Sequence, residues 1–379
     1  MKFFLIKLRN SVIGFLYRSV LKKALFRIDP ERVHNGAVLI GRIFGSNFLF
    51  RKTTALSFNF SDKSLEQSIG GLRFKNPVGL AAGFDKDARI IRIMPAVGFG
   101  FTEVGSITGE YCPGNPKPRL WRLPKSKAIV VHYGLNNDGA EAIAKRLAGK
   151  KYLNDIPLGI SIAKTNSPEV VETEKEINDY LKVVRLFSNI GDYLTINISC
   201  PNTYGGQPFT EPERLDRLLA EIDRINLQKP IFLKLPPDIS FDLVDRIIEL
   251  SAQRRIAGFI CSNLTKNRSK AEIEPKEASL APPGIGGISG KPTEKIANSQ
   301  IAYIFKKTGG EKVIIGCGGI FCAEDAYQKI KLGASLVQLI TGMIFEGPQV
   351  ISEINLGLCR LLKQDGFTNI SQAVGKGII

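Results

Sequence analysis

Apolar and polar positions along the chain follow two regimes. Near the start the apolar residues recur at helical spacing. Ile13, Leu16, Tyr17, Val20, Leu21, Ala24, Leu25 and Ile28 form one stripe, and Arg18, Lys22, Lys23 and Arg27 lie on the other faces. Asp29-Pro30 restarts the pattern, with Asp29 as N-cap and Pro30 in the first turn. Val33, Ala37, Ile40 and Phe44 line one side of this second helix, and Gly45 ends it. Beyond Gly70-Gly71, a β-hairpin turn between 67–69 and 72–74, short apolar runs alternate with helical stretches. The runs are 78–82, 100–104, 158–163, 193–199, 230–235, 258–262, 312–316 and 335–340. Most are continuously apolar, as strands buried on both faces should be. Helical patterns such as 241–253 and 323–332 separate them.

Eight βα units predict an α/β fold, a (β/α)8 TIM barrel, in preference to a doubly wound sheet. The expected division is an amphipathic helical extension over residues 1–50 and a catalytic barrel over 51–379. Two gaps, 111–133 and 265–292, are longer than a helix needs and are expected as excursions at the barrel mouth.

Charge changes the reading of the extension. The chain carries +16, and residues 1–60 hold eleven basic residues against only Asp29 and Glu31. An apolar stripe opposite a basic one suits an anionic membrane surface. A helix packed on the barrel with a solvated basic face suits the residues equally well. Nucleic acid is disfavoured, because the charge lacks interleaved aromatic platforms. No transmembrane stretch is expected, and a signal peptide fits poorly. Six cysteines without paired spacing and two histidines disfavour a metal site and imply reduced thiols in a cytosolic setting.

A barrel carries its chemistry at the C-terminal strand ends. There the chain places Ala82-Gly83-Phe84-Asp85-Lys86, Ser106, Ser161, Asn197 to Asn202, Lys234, Ser262-Asn263, Gly316 to Gly319 and Ile340-Thr341. Glycines after the last two strands suit a phosphate, although either pair alone reads as a tight turn. Lys234 inside an apolar strand needs an anionic partner, or else reaches the rim. Cys200 lies between Asn197 and Asn202, with Gly205-Gly206 as hinges. A modest shift would let its thiol take a proton near neutral pH; an inert buried thiol is the plainer reading of one cysteine.

These motifs together resemble the dihydroorotate dehydrogenase family, in its membrane-associated, quinone-using class. Asn76 to Asp87, Pro113 to Arg119, Asn197 to Asn202, Gly287 to Gly290, Gly316 to Ile320 and Gly333 to Gln338 carry the resemblance in order and spacing. Leu25 to His34 looks like the two-helix extension of the quinone class, which tips the extension toward a membrane. The resemblance implies FMN held by Ala82, Gly83, Phe84, Asp85, Lys86, Ser106, Ser161, Asn197, Lys234, Ser262, Gly290, Gly319, Ile340 and Thr341. It implies dihydroorotate held by Lys86, Asn197, Asn202, Asn263, Tyr133, Gly134 and Leu135, with Cys200 as base. His34 and Arg122 would line a quinone pocket. The implied place is the cytoplasmic face of the cell membrane.

Four positions depart from the family pattern. Cys200 stands where the quinone class has Ser and the soluble class has Cys, which makes the base less dependent on high pH. Val131 replaces a substrate-contacting Asn, Leu264 a Thr, and Ser161 an FMN-contacting Asn. Asn136 or Asn137 could compensate. Two other functions stay open: an FMN dehydrogenase acting on another dihydropyrimidine or cyclic amide, and a non-catalytic flavin-binding protein at a membrane surface.

Overall fold

The computed structural model describes residues 2–149, 155–269 and 271–378. All eight expected strands form, trimmed at their ends: β1 Val78–Leu80, β2 Phe101–Ile107, β3 Leu158–Ile162, β4 Tyr193–Asn197, β5 Ile231–Leu235, β6 Ile256–Cys261, β7 Val313–Cys317 and β8 Leu336–Leu339. They pair in parallel in chain order, and β8 closes on β1 with Val337 opposite Val78. Their continuous apolar runs are explained by burial on both faces. Outward residues such as Val104, Ile160 and Leu233 pack under the helices, while Phe101, Tyr193, Phe232, Ile315 and Leu336 fill the barrel floor. Phe74 of the Gln67–Ile69/Leu72–Phe74 hairpin plugs this floor from below.

The two excursions join in a way that periodicity did not reveal. Leu120–Leu123, Ala128–Val131 and Gly287–Gly290 form a three-stranded antiparallel sheet at the barrel mouth. The segment after Arg119 is thereby stapled to the segment after Gly286.

The extension is larger than expected. Helix α1 spans Lys2–Leu16, passes through a π-helical turn at Tyr17–Leu21, and ends as α2, Lys22–Leu25. Helix α3 spans Pro30–Ser46, and the Asp29 side chain accepts from Arg32 N–H as expected of an N-cap. A third helix, α4 Phe48–Phe58, runs through the boundary expected at residue 50. Three anchors hold these helices to the barrel. The Tyr17 hydroxyl donates to Ile344 O at 2.7 Å, Asn10 donates to Ser352 Oγ at 3.0 Å, and the buried Arg119 guanidinium donates to Glu31 at 2.7 Å.

Among the described residues, no helix is long and apolar enough to cross a membrane. The extension nevertheless leaves Phe3, Phe4, Leu8, Phe15, Leu39, Ile43, Phe48, Leu49 and Leu56 exposed.

Candidate active site

The stripe read from sequence at Ile13 to Leu25 does not simply pack on the barrel. With α3, it walls a cavity of about 980 Å³ that reaches the strand ends, where Lys86, Asn197, Cys200, Lys234, Ser262 and Asn263 line it. One space therefore joins an apolar entrance to a polar floor.

The floor is built by β4 and its neighbours. Asn197 ends β4 opposite Lys234 on β5. Its Nδ2 donates to Ser106 Oγ at 2.7 Å, and its Oδ1 accepts from Ser199 Oγ at 2.7 Å. Asn263 Nδ2 donates to Ser199 Oγ at 2.9 Å, and Asn202 Nδ2 donates to Val131 O at 2.9 Å. Each amide is thus aimed by the protein while retaining one N–H for a ligand. Lys234 is buried, lines the cavity, and has no hydrogen-bond or ion-pair partner among the described residues. A buried ammonium in that state calls for an electron-rich ligand.

The opposite wall suits a phosphate. Gly319 and Gly342 line the cavity with Gly290, Thr341 and Ile340. A Cβ on Gly319 would sit 2.4 Å from the Glu294 Cβ, and one on Gly342 would sit 2.0 Å from Ile320 O. Only backbone can occupy these positions, so a ligand there meets main chain rather than side chains. The unpartnered lysine and the glycine wall fit FMN.

Lys86 meets the extension. Its Nζ lies 3.2 Å from His34 Nε2 and 3.9 Å from the centre of the Tyr133 ring. Burial lowers the Lys86 ammonium to about 8 against the pull of Asp87 and Glu31. Burial, with the Lys86 charge beside it, drives the His34 imidazole down to about 3. His34 is therefore neutral, and its Nε2 accepts from Lys86. The Tyr133 hydroxyl is buried without a hydrogen-bond partner among the described residues. Arg122 donates to Ile28 O at 2.8 Å and stacks over Phe26 at 4.7 Å. It lines the cavity by tethering the turn between α2 and α3.

Several expectations change. Burial pushes the Cys200 thiol up to about 11, although the Asn202 N–H and the Lys266 and Lys164 charges oppose this. The thiol is not poised near neutrality. Asp85 does not face the cavity: its carboxylate accepts from Arg89 N–H at 2.7 Å and Ile90 N–H at 2.9 Å, bracing the loop that presents Lys86. Ser161 is also behind the wall, with its Oγ 2.8 Å from Ser106 Oγ. Asn137 is consumed by Thr108 and Leu135, and Asn136 reaches the cavity with its amide donated to Pro113 O at 2.8 Å. Neither replaces the amide missing at Val131. All other residues expected in the site line the cavity, and the side chains of Val131 and Leu264 join them.

A family model described as "Dihydroorotate dehydrogenase" matches residues 64–362. The chain belongs to that family. It is accordingly an oxidoreductase. A "Dihydroorotate dehydrogenase (quinone)" of Trichodesmium erythraeum is 40% identical over 374 residues, covering 95% of this chain and 98% of that protein. One of Trichormus variabilis is 42% identical over 373 residues, covering 95% and 98%. The crystal structure of DHODH in complex with ferulenol from Eimeria tenella superposes with a TM-score of 0.81 at 28% identity, covering 94% of this chain and 98% of that one.

Within this dihydroorotate dehydrogenase frame, sequence reasoning missed residues that support the site from behind. Asn115, Asn166, Lys164 and Glu176 grip the loop that follows Cys200. Burial of charge is their signal, and it appears only after folding.

Proposed function

We propose that the protein oxidises (S)-dihydroorotate to orotate in de novo pyrimidine (UMP) biosynthesis, with FMN as cofactor and a membrane quinone as electron acceptor. The observation that carries this reading is the single cavity joining the apolar extension to Lys86, Cys200 and Lys234. The names of the relatives support it.

FMN, when bound, supplies the hydride acceptor. Lys234, Ser106, Asn197 and the Gly290, Gly319 and Thr341 wall would hold it. Lys86 binds the substrate carboxylate, a charge-assisted contact that the neutral His34 does not contest. Asn197, Asn202 and Asn263 read the ring's N–H and C=O groups with their remaining valences. Cys200 takes the proton from C5. The cavity's apolar half, walled by α1 to α4, admits the quinone past His34 and Tyr133.

The exposed apolar residues of α1, α3 and α4, with their basic neighbours, support a peripheral seat on an anionic membrane, which we assign to the cytoplasmic face of the cell membrane. A metal has no part in this reading.

Val131 and Leu264 favour a second reading, because both put apolar surface into the substrate pocket. In it, the same chemistry acts on another dihydropyrimidine or cyclic amide. Anaerobic mixing with dihydroorotate separates the two. Bleaching of the flavin supports the first; a flavin that stays yellow at millimolar dihydroorotate overturns it.

A further inference from the structure

The loop from Cys200 to Gln207 is held at two levels. Its feet are tied together: Gln207 Nε2 donates to Ser199 O at 2.8 Å, and Asn263 Nδ2 donates to the same carbonyl at 3.0 Å. Its tip is held by the segment after β3. Lys164 Nζ donates to Tyr204 O at 2.6 Å, and Tyr204 N–H donates to Asn166 Oδ1 at 2.8 Å. Both backbone groups of one residue are therefore gripped. Asn166 extends the hold, donating to Asn115 Oδ1 at 3.2 Å, and Asn115 donates to Asn202 O at 3.2 Å. Beyond this grip the tip is free to hinge. The Tyr204 side chain is exposed, and Gly205 and Gly206 have φ of 70° and 69°.

Lys164 does this from the interior. Its side chain is 5% exposed, and that of its partner Glu176, 2.7 Å away, is 1% exposed. Burying two charges is a poor source of stability, and an apolar pair of similar size commonly does as well. Glu176 Oε2 also lacks a hydrogen-bond partner among the described residues. An apolar pair could not direct a charged N–H at a loop carbonyl, and that is what this pair accomplishes. The surrounding ionisable groups are Tyr180 and Asp179 on the helix of Glu176, and Lys266 and Cys112 facing Cys200.

We infer that Lys164, held by Glu176, is a positioning residue that latches the Cys200 loop over the pocket through Tyr204, and that its release governs how fast ligand leaves. The catalytic consequence rests on the proposed role of Cys200; the latch rests on the contacts themselves. Breaking a charge-assisted hydrogen bond of this kind should speed opening about tenfold.

The test uses FMN-loaded enzyme with both charges removed together, Lys164→Met with Glu176→Leu, so that no unpaired charge stays buried. Three quantities are measured: flavin content, chymotryptic cleavage after Tyr204, and orotate dissociation followed by flavin absorbance. The double variant should retain FMN, be cut about tenfold faster and release orotate about tenfold faster. Lys164→Arg, which keeps a cationic donor, should stay near the parent. Should the double variant fail to fold, the half-buried Asn166→Ala must still raise cleavage after Tyr204. Unchanged cleavage and release, or a Lys164→Arg variant as impaired as the double, overturns the latch. Failure of the parent enzyme to bind orotate overturns the substrate assignment instead, and leaves the cleavage comparison standing.

Discussion

The Lys86 ammonium and the His34 imidazole stand 3.2 Å apart, so a residue of the extension touches the residue proposed to bind substrate. His34 is neutral and accepts; Lys86 is charged and donates. When a substrate carboxylate engages Lys86, this contact has a competitor, and the two halves of the cavity communicate through one side chain.

His34→Phe tests that communication. A phenyl ring preserves the edge contact with Phe84, centred 5.0 Å away, and removes Nε2. Quinone reduction should slow about tenfold, in keeping with the roughly 1.5–3 kcal/mol of a hydrogen bond to a charged group. Flavin reduction by dihydroorotate should hold or quicken. Rapid-mixing measurement of each half-reaction decides, and a defect confined to the dihydroorotate half would contradict the assignment.

The pH profile should report Lys86 first. Catalysis needs Lys86 protonated, with its ammonium near 8, and Cys200 as thiolate, with its thiol near 11. The competent fraction then rises about tenfold per pH unit up to about 8 and levels off above it, because each gain in thiolate is matched by loss of ammonium. kcat/KM for dihydroorotate should show that break. Cys200→Ser should lower the curve and leave the break in place. A break that moves with the serine substitution would assign it to the thiol.

Cys200→Ala should cut turnover by roughly 10²–10⁴, the usual contribution of a positioned base, while FMN stays bound. Flavin absorbance confirms loading, and steady-state assays measure the loss. Retention of full activity would remove Cys200 from the mechanism.

Glu31→Gln probes the joint between extension and barrel. Glu31 pairs with the buried Arg119, and the amide would leave that guanidinium partly uncompensated at a cost of about 1–3 kcal/mol. The expected result is a lower Tm and a raised KM for quinone, with flavin reduction little changed. An unaltered melting curve would mean that the pair holds nothing.

Deleting residues 2–46 should abolish binding to anionic vesicles and quinone reduction while sparing FMN. Flotation at increasing salt is the check, since the basic contribution should fade with screening. Equal flotation of the truncated protein would place the membrane contact elsewhere.

The barrel was legible because buried parallel strands are written as unbroken apolar runs, and each run from Val78 to Leu339 stands between helical stretches. Strand-end chemistry followed from that register: Lys234 could be suspected because it interrupts Ile231–Leu235. The three-stranded sheet was not legible, because Gly287–Gly290 pairs with Ala128–Val131 far along the chain and local spacing carries no trace of it. Ser161 and Asp85 misled for a related reason. Being at a strand end fixes where the backbone is, whereas Ser106 and the amides of Arg89 and Ile90 decide where those side chains point. Glu176 and Lys164 looked like ordinary surface charges until folding buried them.

The π-helical turn at Tyr17–Leu21 acts as a phase adjuster. Each residue advances an α-helix by about 100°, and a wide turn takes up one residue without that advance. Residues before it can therefore present Arg9 and Asn10 to Ser352, while residues after it keep Leu25 and Phe26 on the cavity. Removing a single residue from 17–21 would restore a regular helix and rotate everything before it by about a third of a turn. One face or the other would lose its place, so the length of this segment is as constrained as its composition.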